Sequence, residues 1–234
     1  MNGFTENFNS ILIPFLKKYV ERFGFAVIHR HFFEILEETK KKFQMMTNDS
    51  NGQKWRKESG SMLEQLVLYF IFDEVKKLGY EIASDDEIKS SSRGILEKVA
   101  HNIVIKYGEF FVFPDGDIVI YSAISGEVKA IISCKASTRE RYTQTLYWKL
   151  KLSLNERTEK IKMYFITIDK ERKGNGPKFK KSSLDIIEGK NPTKSRILLE
   201  YELDGIYVGR SITGASNKVK EFDRFLDDLK IALS

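Results

Sequence analysis

Two short β-rich segments joined by a glycine-containing turn constrain the fold of this chain most. Residues 117–121 (DIVIY) and 128–134 (VKAIISC) have strand length and are rich in β-branched side chains. The turn between them lies near residues 125–127, where Gly126 suits a tight change of direction. Hairpin pairing predicts that the start of the first strand lies beside the end of the second.

Helical patterns dominate the chain before this hairpin. Apolar side chains recur at helical spacing and predict helices over residues 5–22, about 25–43, and from near Ser61 to the residue before Gly79. Turn-forming residues at 48–52 separate the second helix from the third, and the polar segment 84–93 predicts a loop. Residues 101–107 (HNIVIKY) predict a further strand.

Helix and strand patterns alternate after the hairpin. The expected elements are a helix over residues 139–154, a strand over 162–169, strands over 195–202 and 205–209, and a closing helix containing Val219, Phe222, Phe225, Leu226 and Leu229. The sequence therefore predicts an α/β (α+β) fold in which a central mixed β-sheet is flanked by helices.

Charge and cysteine content narrow the class of protein. Lys and Arg number 39 against 33 Asp and Glu, and the net charge of +6 suits a polyanionic partner such as nucleic acid, although other soluble basic proteins share this balance. Cys134 is the only cysteine, so an internal disulfide is excluded, and the ligand spacing of a zinc site does not occur. Without a signal-peptide pattern or an apolar run of membrane-spanning length, we expect a cytoplasmic protein with no membrane partner.

Two carboxylates and a lysine flank the hairpin where its strands meet. Side chains alternate along a strand, so Asp115 and Asp117 share one face, and Lys135 lies on a polar position of the next strand. The alternate positions form the expected core face: Ile118, Ile120, Ile132 and Cys134. Carboxylates hold Mg²⁺, which activates water, and a lysine orients or deprotonates that water and stabilises charge developing on phosphorus. The pattern is typical of phosphodiester hydrolysis, although Pro-Asp-Gly-Asp is also a good turn sequence.

The same segment resembles the PD-(D/E)XK nuclease superfamily, in which Pro-Asp stands at one strand and acid-x-Lys ends the next. Pro114, Asp115 and Lys135 match this pattern, and Asp117, directly before the apolar strand, competes with Asp115 as the principal metal ligand. The resemblance implies a Mg²⁺-dependent nuclease with a restriction-endonuclease-like core. We expect one nuclease domain over 1–234, with a helical part at 1–58, the catalytic core at 59–170, and sheet completion and a C-terminal helix at 171–234.

Arg139, Glu140 and Arg141 follow Lys135 at the start of a predicted helix. They resemble the R-(D/E)-R element of type II restriction enzymes that cut CCGG-like and CCNGG-like sites. Arg offers two donors to O6 and N7 of guanine, and Glu accepts from the N4 amino group of cytosine. The resemblance implies a reader of adjacent C·G pairs, with Gln144 orienting a phosphate or a water; a solvated first turn and a surface glutamine are the alternatives.

Two positions depart from this resemblance. Ser133 stands where the acid two residues before the lysine is expected, and a hydroxyl does not replace a carboxylate as an Mg²⁺ ligand. Trp148 and Lys149 stand where CCGG-type enzymes carry a later acid. The remaining candidate is Glu64 on the third predicted helix, because members of the superfamily bring a glutamate from the helix before the sheet. An exposed carboxylate near a helix N-terminus is the alternative.

Three other segments carry suggestive residues. His29, His31 and Glu34 do not match a zinc pattern, since residues two apart do not share a helix face, so packing or surface roles are expected. The basic loop 173–181 lacks the phosphate-binding pattern GxxxxGKS or GxxxxGKT, so no nucleotide cofactor is expected. We expect an exposed loop, and a loop that contacts DNA phosphates is the alternative. Residues 53–57 (QKWRK) combine cations with a tryptophan, a composition that DNA backbone clamps share. A chance combination is the alternative.

These observations predict a type II restriction endonuclease of a prokaryotic cell that hydrolyses double-stranded DNA with Mg²⁺ at a short palindrome containing C and G. A two-fold homodimer is the simplest way to cut both strands of a palindrome. One rival interpretation is a structure-selective repair or recombination nuclease, in which Arg139 and Arg141 contact phosphates. The other is a non-catalytic basic DNA-binding protein, which does not need Lys135.

Overall fold

The structure, a computed structural model, describes residues 4–50, 52–136, 141–169, 186 and 192–234. The α-helices are α1 (Ile13–Phe23), α2 (Phe32–Thr47), α3 (Gln53–Lys77), α4 (Asp85–Ser90), α5 (Ile95–Ile103), α6 (Arg141–Ser153), α7 (Lys194–Glu202) and α8 (Phe225–Leu233). The strands are β1 (Tyr80–Ser84), β2 (Ile105–Tyr107), β3 (Phe110–Val112), β4 (Ile118–Ser122), β5 (Val128–Lys135), β6 (Lys162–Thr167), β7 (Gly205–Val208) and β8 (Val219–Glu221). No helix in these residues is both long and apolar enough to cross a membrane.

A six-stranded sheet separates two layers of helices. Its strand order is β1-β4-β5-β6-β7-β8. The pairs β1–β4 and β4–β5 are antiparallel, and the strands from β5 to β8 are parallel to one another. β2 and β3 form a separate hairpin. The predicted mixed sheet flanked by helices is therefore confirmed. The edge of the sheet where β5 ends and β4 begins is called the site edge below.

Both faces of the sheet are buried. The side chains that were expected on the core face lie in the first core, beside α1, α2, α3 and α8: Ile118, Ile120, Ile132 and Cys134. The alternate positions Val119 and Ile131 lie in a second core with apolar side chains of α5, α6 and α7. The face of β4 and β5 that carries Asp117 and Lys135 is therefore also buried away from the site edge, so the sheet has two core faces and not the single one that was predicted.

The predicted hairpin of β4 and β5 is confirmed to within one residue at its outer ends. The Ser122 N–H donates to the Glu127 carbonyl and the Gly126 N–H donates to the Ser122 carbonyl, each at 2.9 Å. Gly126 has a φ of +75°, a conformation that glycine adopts without strain. This turn holds the opposite end of the hairpin from the site edge.

The third helix begins earlier than predicted, at Gln53 and not near Ser61. Gly52 precedes it with a φ of +69°, and Trp55 in its first turns is buried at 5% exposure against Phe43 of α2. The apolar run that begins after Ser61 marks where the helix reaches the sheet, because periodicity reports burial and not the start of helical hydrogen bonding. The predicted end before Gly79 agrees with the structure.

Two predictions before the hairpin are wrong. The polar segment 84–93 contains α4, whose start is capped by reciprocal hydrogen bonds between Ser84 and Glu87, a Ser-x-x-Glu pattern visible in the sequence. The segment 101–107 begins as the end of α5, in which Val99 and Ile103 are buried at a spacing of one helical turn. Only its last three residues form a strand, β2.

Two predictions after the hairpin are also wrong. Residues 195–202 form helix α7 and not a strand, because Thr193 caps the N–H of Arg196 and the buried Ser195 and Leu199 recur at helical spacing. Val219 belongs to strand β8, where it pairs with Ile206, and the closing α8 starts later, at Phe225. Short β-branched or leucine-rich segments have similar patterns in both states, so tertiary pairing decides between them.

Candidate active site

The start of β4 and the end of β5 meet at the site edge, as predicted. Ile118 pairs with Ile132 in the antiparallel register, and the Asp117 N–H donates to the Ile132 carbonyl oxygen at 2.9 Å. This bond carries the pairing one residue beyond β4. Asp117 is therefore held next to the last residues of β5, among them Lys135.

Lys135 and Asp117 are in direct contact. The Lys135 Nζ donates to Asp117 Oδ1 at 3.2 Å and to Oδ2 at 3.0 Å, and the Cys134 backbone N–H donates to Asp117 Oδ2 at 2.6 Å. The side chains of Lys135 and Asp117 are 12% and 22% exposed. Burial lowers the pKa of Lys135, but Asp117 and Asp115 outweigh it, so the pKa is raised and the ammonium stays charged.

Glu64 of α3 lies at the same place. The pKa of Glu64 is raised from 4.5 to about 7. Burial is the largest cause, the charge of Asp117 is the next, and the charge of Lys135 acts in the opposite direction. A half-buried carboxyl near a second carboxylate resists ionisation because burial removes water from the charged form and the second negative charge repels it. The fold thus brings Glu64, from a helix far away in the sequence, within electrostatic range of the aspartate and the lysine.

Asp115 and Asp117 are separated by a glycine that the packing requires. Gly116 is buried, and a Cβ placed on it would lie 2.2 Å from Cγ2 of Ile131, closer than any real contact. Asp115 is half-buried, and its charge raises the pKa of Lys135. The segment that sequence reasoning also regarded as an ordinary turn is therefore fitted tightly against β5.

Two acidic residues at this edge were missed by sequence reasoning. β1 ends at Ser84, and Asp85 follows it next to the start of β4, where Asp117 lies. The charges of Asp86 and Asp85 both contribute to the raised pKa of Glu64. The capping pattern at the start of α4 was the available signal, and the segment was instead predicted to be a loop.

The two positions that lack the expected acids have structural roles. Ser133 is fully buried and accepts a hydrogen bond from the Thr145 hydroxyl at 3.1 Å, which ties β5 to α6. Trp148 is buried in the second core. Lys149 donates to Asp204 at 2.6 Å, an ion pair that joins α6 to the segment before β7.

Of the predicted DNA-contacting residues, the structure describes Arg141 and Gln144. Arg139 and Glu140 lie outside the residues that the structure describes. Arg141 is the first residue of α6 and Gln144 lies one turn later; both side chains are exposed. Because α6 begins a few residues after Lys135, its first turn lies near the site edge.

The other segments singled out in the sequence have structural contacts of their own or lie outside the described residues. Trp55 is packed against Phe43, so it is unavailable to a ligand. His29 Nε2 lies 3.3 Å from Glu221 Oε2 and 3.8 Å from Asp223 Oδ1, and Arg30 Nε donates to the same Glu221 oxygen at 2.8 Å, so this cluster ties the N-terminal helices to β8. The basic loop 173–181 lies outside the described residues.

A family model covers most of this site. The model, described as BsaWI restriction endonuclease type 2, matches residues 87–228. This span, more than half of the chain, contains Asp115, Asp117, Lys135 and Arg141, whereas Glu64 precedes it.

Individual relatives agree with the family match. MjaVIP of Methanocaldococcus jannaschii, a candidate type II restriction enzyme, is 34% identical over 181 residues, which are 76% of this chain and 76% of that protein. HpyAORF263P of Helicobacter pylori, also a candidate type II restriction enzyme, is 34% identical over 115 residues, 48% of this chain and 58% of that protein. A solved complex of restriction endonuclease PspGI with substrate DNA matches 98% of this chain and 96% of that chain, at 14% identity and a TM-score of 0.49. The family match and the MjaVIP relative show that the chain belongs to the type II restriction endonucleases of the BsaWI family, which are site-specific deoxyribonucleases.

Proposed function

We propose that the site edge hydrolyses phosphodiester bonds of double-stranded DNA with Mg²⁺, using Asp115, Asp117 and Glu64 as metal ligands and Lys135 as the adjacent cation. The observation that carries this proposal is the contact of Lys135 Nζ with both carboxylate oxygens of Asp117, at 3.2 and 3.0 Å, beside the half-buried Glu64. The arrangement is the one that the PD-(D/E)XK resemblance implies, with Glu64 in place of the acid missing at Ser133.

The donor set fits a hard divalent cation. Asp117 contacts the Lys135 ammonium, and the charges of Asp115 and Glu64 also interact with it; burial, followed by the charge of Asp117, raises the pKa of Glu64. Mg²⁺ prefers carboxylate oxygens and water as ligands. When bound there, Mg²⁺ would polarise the scissile phosphate and lower the pKa of a coordinated water.

Lys135 acts as a cation in this proposal. Because its pKa is raised, the ammonium has no tendency to act as a base while Asp117 faces it. A charged ammonium donates hydrogen bonds to the attacking water and to non-bridging phosphate oxygens. It therefore orients the water and stabilises the negative charge that grows on the phosphate in the transition state.

Arg139, Glu140 and Arg141 read the DNA sequence in the same proposal. Arg141 begins α6 soon after Lys135, and the bond from Thr145 of α6 to Ser133 of β5 supports a position of this helix start near the scissile bond. Paired arginines and a glutamate match the donors and acceptors of C·G pairs in the major groove. The expected target is a short palindrome containing C and G, with Gln144 contacting the backbone or a water.

A homodimer acting in the cytoplasm of a prokaryotic cell completes the proposal. The two strands of a palindrome are related by a two-fold axis, so two copies of the chain place one site on each strand. Sedimentation of the protein with and without DNA tests this; a monomer that remains monomeric on its cognate duplex contradicts the dimer.

The nuclease proposal is tested by incubating the protein with unmethylated plasmid DNA and Mg²⁺ and sequencing the resulting ends. Discrete fragments that share one end sequence are expected, with no cutting in EDTA. Random nicking contradicts site-specific cleavage, and absence of cutting contradicts the nuclease. Lys135→Ala is the control for contaminating nucleases, since it is expected to bind DNA and cut none.

Arg141→Ala separates the reading of bases from the binding of phosphates. If Arg141 contacts guanine, the variant loses discrimination at one base pair, with a free-energy change of about 1–3 kcal/mol. Uniform weakening on all sequences would instead indicate a phosphate contact, as in a structure-selective nuclease. Cleavage rates on duplexes with single base-pair changes distinguish the two.

A further inference from the structure

Helix α3 extends beyond the site edge. From Glu64 to Lys77 it covers the sheet, with Leu66 in the first core. Eleven residues precede Glu64 in the helix, back to Gln53, and at the rise of an α-helix they span about 16 Å. Helix α3 leads into the start of β1, whose other end lies at the site edge, so the residues of α3 before Glu64 extend past that edge.

Helix α2 runs back along the projecting part of α3. Phe32 at the start of α2 contacts Phe70 at a ring-centroid distance of 5.2 Å, and Phe43 near its end contacts Trp55 at 5.6 Å. The two helices are therefore antiparallel, and the turn between them lies farthest from the sheet. The backbone N–H of Trp55 donates to the buried Asp49 side chain at 2.8 Å. The turn between the two helices is therefore held against the start of α3.

Five exposed cations cover this end of the helix pair. They are called the basic tip: Lys41, Lys42, Lys54, Arg56 and Lys57. None of them forms an ion pair with another residue that the structure describes, and Lys54 Nζ donates to the Thr47 carbonyl oxygen at 3.0 Å. Asp49 and Glu58, which lie close to Lys54 and Lys57 in the sequence, are otherwise engaged, since Asp49 accepts from the Trp55 backbone N–H and Glu58 accepts from Asn7 at 3.1 Å. The α3 part of the basic tip therefore presents three exposed cations that form no ion pair within the described residues.

The charge at the start of α3 opposes helix stability. The first turn contains no acidic residue, whereas Lys54, Arg56 and Lys57 all lie within the first five residues. The N-terminus of a helix carries partial positive charge and favours acidic side chains. The buried Asp49 carboxylate, which accepts from the Trp55 backbone N–H, offsets part of this cost, whereas Lys54, Arg56 and Lys57 add positive charge to the same end of the helix.

Lys57 lies on the same face of α3 as Glu64. The two are seven residues apart, which is close to two turns and about 10 Å along the helix axis. Gly60 and Ser61 lie between them on this face, and a Cβ on Gly60 would meet nothing within 4 Å. A strand whose scissile phosphate sits at Glu64 and Lys135 can therefore continue toward Lys57 without meeting a large side chain.

We propose that the basic tip binds the phosphates of the DNA backbone next to the scissile bond, with Lys54 and Lys57 as its main contacts. This inference rests on the proposed function, because DNA reaches the tip only if it occupies the site edge. It assigns to the N-terminal helices the sequence-independent part of DNA binding, separate from base reading at α6. Trp55 holds the tip together from inside and does not touch the DNA.

The double variant Lys54→Ala/Lys57→Ala tests this inference. Its affinity for a short mixed-sequence duplex is measured in EDTA over a range of salt concentrations, so that neither cleavage nor sequence reading contributes. Loss of two phosphate contacts is expected to flatten the slope of log Kobs against log salt by about 1.8. The melting temperature is expected to stay equal or rise, because two charges unfavourable to the helix dipole are removed.

The matched control is Lys77→Ala/Lys98→Ala, which makes the same change in net charge at the opposite end of the molecule. Lys77 ends α3, and Lys98 lies beside the Gly126 turn. The control is expected to keep the wild-type slope, and Lys54→Arg/Lys57→Arg is expected to restore it. An equal slope in the tip variant and the wild type overturns the inference, as does equal flattening in the control.

Different outcomes would contradict the tip contacts and the proposed nuclease activity. If the wild-type protein cuts plasmid at discrete sites but the tip variant keeps the wild-type salt slope, the tip contacts are contradicted. The proposed nuclease activity is then unaffected. A wild-type protein that neither cuts nor binds duplex DNA contradicts the proposed function, and with it the inference.

Discussion

Lys135 and Asp117 form a two-oxygen ion pair where β5 ends and β4 begins, with Nζ 3.2 and 3.0 Å from the carboxylate oxygens. The Cys134 N–H fixes one of these oxygens at 2.6 Å, so the carboxylate cannot rotate freely. Asp115 has no such support in the described structure. This asymmetry makes Asp117 our choice for the principal metal ligand.

Asp117→Asn is therefore expected to lower the single-turnover cleavage rate by about 10³-fold, a loss typical of removing one preorganised charged group. Asp115→Asn is expected to raise the Mg²⁺ concentration needed for half-maximal rate with a smaller loss at saturating Mg²⁺. DNA binding in EDTA, measured alongside, should persist in both variants. The reverse ranking of the two asparagine variants would show that Asp115 is the principal ligand.

Glu64→Gln is expected to abolish cleavage and yet stabilise the metal-free protein. Folding raises the pKa of Glu64 from 4.5 to about 7, so its contribution to stability becomes unfavourable as pH rises through that interval and stays constant above it. Removing the charge should therefore gain about 2 kcal/mol above pH 7 and nothing near pH 4, after allowance for solvent around a half-buried group.

Thermal melts of both proteins in EDTA at acidic and alkaline pH measure this difference. Added Mg²⁺ should close the gap at alkaline pH, because it stabilises only the wild-type carboxylate. A gap that is equal at both pH values would contradict a perturbed Glu64.

Ser133→Asp restores the acid of the acid-x-Lys pattern, but it is expected to impair the protein. Ser133 is fully buried and bonded to Thr145 at 3.1 Å, so a carboxylate there loses solvation and costs more than about 3 kcal/mol. Ser133→Ala, the control, loses one hydrogen bond and should cost about 1 kcal/mol. Denaturant unfolding measures both; a stable Ser133→Asp protein with tighter Mg²⁺ dependence would show that position 133 faces the metal.

Gly116→Ala is expected to reduce cleavage because the new methyl group would lie 2.2 Å from Cγ2 of Ile131. The segment must move away from β5, carrying Asp115 and Asp117 with it, at a cost of about 1–3 kcal/mol. Gly60→Ala is the control for stability: a Cβ there meets nothing within 4 Å, so helix propensity should stabilise α3 by up to about 1 kcal/mol. Unaltered activity in Gly116→Ala would contradict the tight packing.

The hairpin and its polar end were predictable because they depend on local patterns. Alternation along residues 117–121 and 128–134 placed Ile118 and Ile132 in one core, and the hairpin pairing brought Asp117 to Lys135. Helix α7 was not predictable in this way, since a short leucine-containing segment fits a strand or a helix, and its cap on Arg196 decided the outcome. Strand β8 likewise depends on pairing with β7, which lies earlier in the chain.

The sequence by itself predicted the local elements of the site edge: an aspartate before one strand, a lysine at the end of the next, and a helix soon after it. These follow from neighbours in the chain, where alternation and spacing control which side chains meet. Only the tertiary structure decided that Glu64 joins them, that Ser133 turns into the second core, and that the cations of α2 and α3 project past the site edge. Those relationships depend on how α3 packs on one face of the sheet and α6 on the other, and long-range packing leaves no periodicity in the local sequence.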